Sequence, residues 1–127
     1  MFQIKLDRTK ILKGISRALK PGGLFLIDID NGDFVKKNFR PRSWGKLEDG
    51  AYLLENAELT DDGTANTWTV IRKGEVQECS FFARLYSKQR MSIALKKAGL
   101  NPLRFWGDFK GHPLSSESTH LIALAQK

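Results

Sequence analysis

Three short stretches of this sequence place polar side chains where they can do chemistry. Asp30 and Asn31 close "LFLIDIDN". A carboxylate or amide at that position can orient a hydroxyl or an amine and handle its proton. Helix capping or turn formation by "DNGD" is the competing use of the same residues. Arg84 and Tyr86 alternate with Phe82, which puts all three on one face of an extended segment. A guanidinium beside a phenol can bind an anion or polarise an accepting group, and a surface arginine with a half-buried tyrosine is the plainer reading. Trp106 and Asp108 alternate in the same way at the end of "LRFWGD", with core packing and turn chemistry as their alternatives. His112 and His120 have no carboxylate or cysteine at metal-ligand spacing, so no metal site is expected. Cys79 lies in a strand pattern without a histidine nearby and reads as a small core residue, not a nucleophile. None of these residues is assigned a catalytic role.

The elements that must position them follow from periodicity. Ile11, Leu12, Ile15, Ala18 and Leu19 recur at helical spacing from Arg8 to Leu19, with Asp7 as a candidate N-cap. Pro21 stops that helix, and Gly22-Gly23 supplies the positive φ of a tight turn. "LFLIDI" then reads as a strand apolar on both faces, the pattern of a strand covered by helices on each side. Its carboxyl end, marked by Asp28 and Asp30, is where open α/β sheets bind ligands. Residues 32–50 read as a loop with a short helix at most. "AYLLENAEL", "ANTWTVIR" and "VQECSFFARLY", separated by "TDDGT" and "KGE", predict a three-stranded antiparallel meander over about 51–86. Ser87 caps a predicted helix through Ala98, ended by Gly99 in the left-handed conformation. A strand at "LRFWGDF", a loop and a doubly apolar last strand, "HLIALAQ", complete the chain.

The totals bound the function classes. At 127 residues the expectation is a single domain over 1–127. One cysteine rules out an intramolecular disulfide, which makes a reducing, cytoplasmic setting the default. No signal peptide is expected, and no segment approaches the roughly 20 apolar residues that span a bilayer. The net charge of +7 raises nucleic acid as a partner. Residues 1–46 carry 11 basic and 4 acidic side chains, 47–86 carry 3 and 8, and 87–127 carry 7 and 2. The acidic middle and the lack of a known basic recognition motif argue against that partner, and most cations fall at the spacing of a solvated helix face.

The ordered set "LKPGG", two-sided strand, antiparallel insertion, "RLYS", "KKAGL", "WGDFKGHP" and "HLIALA" resembles the C-terminal half of a class I S-adenosylmethionine-dependent methyltransferase of the small-molecule type. The resemblance runs from about Arg8 to Lys127. It implies an α/β fold, α+β if taken as an isolated fragment: the C-terminal part of a Rossmann-like sheet plus the meander, inserted after the fifth core strand. Leu24–Ile29 would be that fifth strand and Leu103–Trp106 lie near the sixth. His120–Ala125 would be the seventh, antiparallel between them. The resemblance also implies that Asp30, Asn31, Arg84, Tyr86, Trp106 and Asp108 face a substrate, with "GDF" closing its pocket.

The family holds its cofactor on a glycine-rich loop after the first strand and on acidic or polar positions after later ones. This sequence contains no G-x-G-x-G, so no cofactor-binding residue is assigned. A methyltransferase must hold the sulfonium methyl in line with its nucleophile. The expectation is therefore the substrate-side portion of such an enzyme, inactive alone, as a fragment, a truncated product or half of a split enzyme. S-adenosylmethionine is expected for the family and doubtful for this chain by itself. The expected partners are a small-molecule substrate, and either a missing N-terminal half or a second copy. A stand-alone interaction module derived from a methyltransferase is the competing reading.

Overall fold

A computed structural model describes the backbone of Phe2–Ile4 and residues 8–127. Asp7, expected to cap the first helix, lies outside the described residues. The chain divides into two compact units, 1–6 with 38–84 and 7–37 with 85–127.

The first unit is a five-stranded sheet. The predicted meander is present as β4 (Tyr52–Leu59), β5 (Gly63–Arg72) and β6 (Glu75–Arg84), all antiparallel. Lys73 and Gly74 both have positive φ, 50° and 77°, which is the two-residue hairpin geometry that matches strand twist. A Thr60–Gly63 turn joins β4 to β5, with Thr60 N–H donating to Gly63 O at 2.8 Å. The meander gains two strands that periodicity did not predict. β1 (Phe2–Ile4) pairs in parallel with β6, and β3 (Arg42–Lys46) pairs antiparallel with β4. β3 falls in the stretch expected to be a loop. Its five residues are all exposed and mostly polar, so no apolar alternation marks it. What fixes it is the partner strand: Trp44 lies opposite Leu54, its ring is 6.2 Å from that of Tyr52, and Ser43 Oγ donates to Glu55 Oε2 at 2.7 Å.

The second unit holds α1 (Arg8–Ala18), β2 (Leu24–Asp30), α2 (Gly32–Lys37), α3 (Lys88–Lys97), β7 (Asn101–Trp106) and β8 (His120–Gln126). Its sheet has the order β2-β8-β7, with β8 antiparallel to both neighbours. This is the arrangement expected of the fifth, seventh and sixth strands. Leu12, Met91, Leu95, Leu121, Ala123 and Ala125 form the buried core, with Phe25, Ile27 and Ile29 packed against it. α1 and α3 therefore cover the face of β2 that carries its odd-numbered residues.

The turns that set these helices are closed as the sequence requires. α1 gives way to Gly22 at φ 81°, and the chain terminus seals the turn: Gly22 N–H donates to Lys127 O at 2.9 Å and Lys127 Nζ to Leu19 O at 2.8 Å. Ser87 Oγ accepts from Arg90 N–H at 3.2 Å and starts α3. α3 ends with Gly99 at φ 82° while Leu100, itself buried, donates its N–H to Leu95 O at 2.9 Å.

β2 departs from expectation on its other face. Leu24 and Leu26 are 59% and 62% exposed, so the strand is covered by helices on one side only. The reason is that both long helices of its unit lie on the same side of the sheet.

This packing makes two contrasting predictions. Leu95→Ala, at a fully buried core position, should cost about 2–5 kcal/mol in urea unfolding. Leu26→Ala, on the uncovered face, should change stability by no more than about 0.5 kcal/mol.

Candidate functional site

The carboxyl end of β2 is built around a close backbone approach. Asn31 pairs with Tyr86 across an isolated parallel bridge, and Gly32 N–H donates to Tyr86 O at 2.9 Å. A Cβ on Gly32 would lie 2.7 Å from that same oxygen, so only glycine fits. Asn31 is 1% exposed and Tyr86 6%. The Arg8 guanidinium lies 5.4 Å from the centre of the Tyr86 ring.

Asn31 also holds the loop between β7 and β8. Its Nδ2 donates to Ser115 O at 2.9 Å and Ser118 O at 2.8 Å, and its N–H donates to Thr119 O at 3.1 Å. Its own carbonyl accepts from Val35 N–H at 3.0 Å and starts α2. The backbone of Asn31 thus starts the helix, as one reading of "DNGD" foresaw, while its side chain reaches across to the loop. The remaining polar atom, Oδ1, is buried without a hydrogen-bond partner among the described residues. A buried amide oxygen is costly to leave unpaired.

The uncovered face of the sheet brings together residues far apart in sequence. Across the antiparallel pairs, Asp30 lies opposite His120, and Ile122 lies opposite Asp28 on one side and Trp106 on the other. Asp30 and Trp106 therefore share a face. His120 Nδ1 sits 2.8 Å from Asp28 Oδ1, and the Phe109 ring packs edge-on against the imidazole at 5.2 Å between centroids. An imidazole held by a carboxylate can take up or deliver a proton. Periodicity did not single out this Asp28–His120 pair. The signal was present only once the last strand was set antiparallel against Leu24–Ile29, because that register brings the two ends together.

The other expected residues separate. Asp108 does turn chemistry: its Oδ1 accepts from the N–H groups of Lys110 at 2.9 Å and His112 at 3.1 Å, and its Oδ2 lies 2.6 Å from His112 Nδ1. Desolvation pushes its carboxyl up. The His112 ring contact, the two backbone N–H bonds and the attraction of His112 outweigh that, holding the carboxyl below its ordinary value of 3.8. β6 ends at Arg84, and Tyr86 lies beyond it in the second unit, so the strand face inferred for Phe82, Arg84 and Tyr86 does not extend to the tyrosine. Phe82 and Arg84 are exposed where Tyr86 is buried, because the chain leaves one sheet for the other between them.

The strand-to-helix turn after β2 is the natural place for a bound anion or nucleotide. Here the Tyr86 backbone fills the space beside Gly32, and the glycine with positive φ in this region, Gly22, lies at the opposite end of β2. At this turn the described residues leave no room for a cradle around S-adenosylmethionine.

No protein-family model and no curated protein sequence matches the chain. Solved structures do match its fold. The CcbJ methyltransferase from Streptomyces caelestis is 18% identical with a TM-score of 0.74, over 93% of this chain and 52% of its own. An S-adenosylmethionine-dependent methyltransferase from Clostridium acetobutylicum is 18% identical with a TM-score of 0.76, over 93% and 50%. The sugar N-methyltransferase KedS8 from a Streptoalloteichus species is 16% identical with a TM-score of 0.54, over 94% and 49%. The chain thus has the fold of about half of an S-adenosylmethionine-dependent methyltransferase, the resemblance expected from its motifs.

Two measurements check the site. Asn31→Ala should cost about 1–3 kcal/mol in urea unfolding by freeing the Ser115 and Ser118 carbonyls, and Asn31→Asp should cost more because it sets a carboxylate against them. The depressed Asp108 carboxyl adds stability that is complete above its unfolded value near 3.8 and is lost as pH falls through the lower folded value. Carbon-13 titration of Asp108 should give a midpoint below 3.8, and His112→Ala should raise it.

Proposed function

We propose that this chain is the substrate-side portion of a cytoplasmic S-adenosylmethionine-dependent methyltransferase that acts on a small molecule, and that it is inactive without a separate cofactor-binding half. The observation that carries the reading is the match of 93% of the chain to about half of two such enzymes at TM-scores of 0.74 and 0.76. The β2-β8-β7 order, implied by the family resemblance, supports it.

In this reading the substrate approaches the carboxyl end of β2. The exposed Asp30 carboxylate orients a hydroxyl or amine, the Asp28–His120 pair accepts its proton, and Trp106 forms an apolar wall on the same face. Asn31 Oδ1, buried without a protein donor, supports a ligand N–H or O–H as its partner. Asp108 with its loop is assigned to closing the pocket. An amine on a sugar is one acceptor that fits this chemistry, and KedS8, a sugar N-methyltransferase, shares the fold. S-adenosylmethionine supplies the methyl group once the other half is in place.

Calorimetric titration with S-adenosylmethionine is the direct test. The chain alone should give no saturable heat, and saturable micromolar binding would overturn the half-enzyme reading. A glycine-rich strand-loop-helix encoded next to the N-terminal side of Met1, or in a co-expressed partner, is the expected companion. Its addition should restore cofactor binding.

A second reading, an interaction module that pairs with its own copy, rests on a contrast between the two edges of the second sheet. β7 carries Pro102, a register shift between Pro102 and Arg104, and the Arg104 charge, which all discourage strand addition. β2 has no proline and no register shift, carries charge only toward its carboxyl end at Asp28 and Asp30, and exposes Leu24 and Leu26. Light scattering at high concentration separates the readings: a dimer abolished by Leu26→Lys supports the module, and a clean monomer removes it.

A further inference from the structure

One face of the five-stranded sheet in the first unit is open to solvent. On β4, Tyr52, Leu54, Asn56 and Glu58 are exposed, whereas Leu53, Glu55 and Ala57 between them are half-buried. An antiparallel sheet with one solvated face ordinarily turns polar side chains outward. Here the open face is apolar at one end. The register sets Lys46, Tyr52, Ile71 and Val76 in one row across β3, β4, β5 and β6, and Trp44, Leu54, Thr69 and Glu78 in the next. Trp44 is 73% exposed and Val76 62%, with Tyr52 and Leu54 exposed between them. A contiguous exposed patch of large apolar side chains marks an interaction surface.

The charges on this face are segregated. Its outer strand β3 carries Arg42 and Lys46, neither with an acidic partner among the described residues, and Glu78 lies at the far side on β6. An apolar patch flanked by opposite charges complements a second copy of itself about a two-fold axis. The register selects the axis. With the two-fold parallel to the strands, between β4 and β5, β3 of one copy lies over β6 of the other and the rows stay in step. Tyr52 then meets Ile71 of the second copy, and Glu78 of the second copy falls opposite Trp44, between Arg42 and Lys46. Turning the copy end over end would instead set β3 over β3 and cation against cation.

We propose that this face is the interface between two copies of the chain, stacked as an aligned β-sandwich. With strands about 4.8 Å apart and about 3.4 Å per residue, β4, β5 and β6 of 8–10 residues and β3 of 5 make a face of roughly 500 Å² in projection. The accessible area of its side chains is larger than the projection and comes near the roughly 800 Å² per partner of a specific interface. This surface lies wholly in the first unit, apart from the β2 edge, and its pairing is independent of any methyltransferase activity.

Light scattering of the full chain over a range of concentrations tests it, with circular dichroism confirming that each variant is folded. A monomer–dimer equilibrium is expected. Trp44→Ala should weaken it at least about tenfold by removing an aromatic anchor. Val76→Lys, which sets a cation over Lys46 of the second copy, should weaken it too, and Leu26→Lys should leave it unchanged. Glu78→Lys should also loosen the dimer, and the triple variant R42E/K46E/E78K, which exchanges the signs on the two strands, should restore it. A chain that stays monomeric at high concentration, a dimer unmoved by Trp44→Ala and Val76→Lys, or one abolished by Leu26→Lys would overturn the proposal. A triple variant that pairs no more tightly than Glu78→Lys would overturn it as well, because the stacking requires β3 to lie over β6.

Discussion

The insertion of β8 between β2 and β7 is the constraint on which the second unit depends. Both edges of this strand are paired, and the side chains it turns toward α1 and α3 are Leu121, Ala123 and Ala125, all fully buried. Two alanines in the centre leave room for Leu12, Met91 and Leu95 to come down onto the sheet. The same strand brings His120 beside Asp28 and Asp30, and Lys127, just after it, seals the turn that leads from α1 into β2. Core, candidate site and helix end are therefore set by one register.

A second constraint acts at the end of β2. The backbone of Tyr86 passes so close to Gly32 that a side chain there is excluded, and Asn31 must then satisfy both a helix start and two loop carbonyls. This accounts for a buried, polar, nearly saturated residue at the point where a ligand would approach. It also explains why the turn cannot serve as a nucleotide cradle, since the space beside its glycine is already filled by protein. In the proposed function this end of the sheet orients and deprotonates a substrate, on a chain with the fold of about half a methyltransferase.

Charge is distributed to similar effect. The +7 excess is not a uniform coat: some cations serve structure, as Lys127 does at the end of α1 and Lys37 with Glu117. Others lie against aromatic faces, Lys88 against Phe105 and Arg104 against Trp106. Of the two outer edges of the β2-β8-β7 sheet, β7 is guarded by proline, a bulge and charge, while β2 has a regular register and is charged only toward its carboxyl end, at Asp28 and Asp30. An edge without proline or bulge is more open to another strand beside it.

The sequence by itself determined the elements whose signals are local. Helical spacing and a serine cap fixed α3, Pro21 with Gly22 fixed the stop of α1, and Gly99 fixed the turn after α3. β-forming runs separated by "TDDGT" and "KGE" fixed the meander, and the order of motifs carried the resemblance that predicted β8 between β2 and β7. Tertiary structure decided what depends on a distant partner. β3 exists because β4 offers it a register, Asp28 meets His120 because an antiparallel pairing folds residue 120 back onto residue 28, and Asp108 binds its own loop. Leu24 and Leu26 look as apolar in the sequence as Phe25 and Ile27, yet only the latter pair is packed. Period and composition record how apolar a strand is, whereas coverage depends on which elements lie on each side of it, and here both helices lie on one.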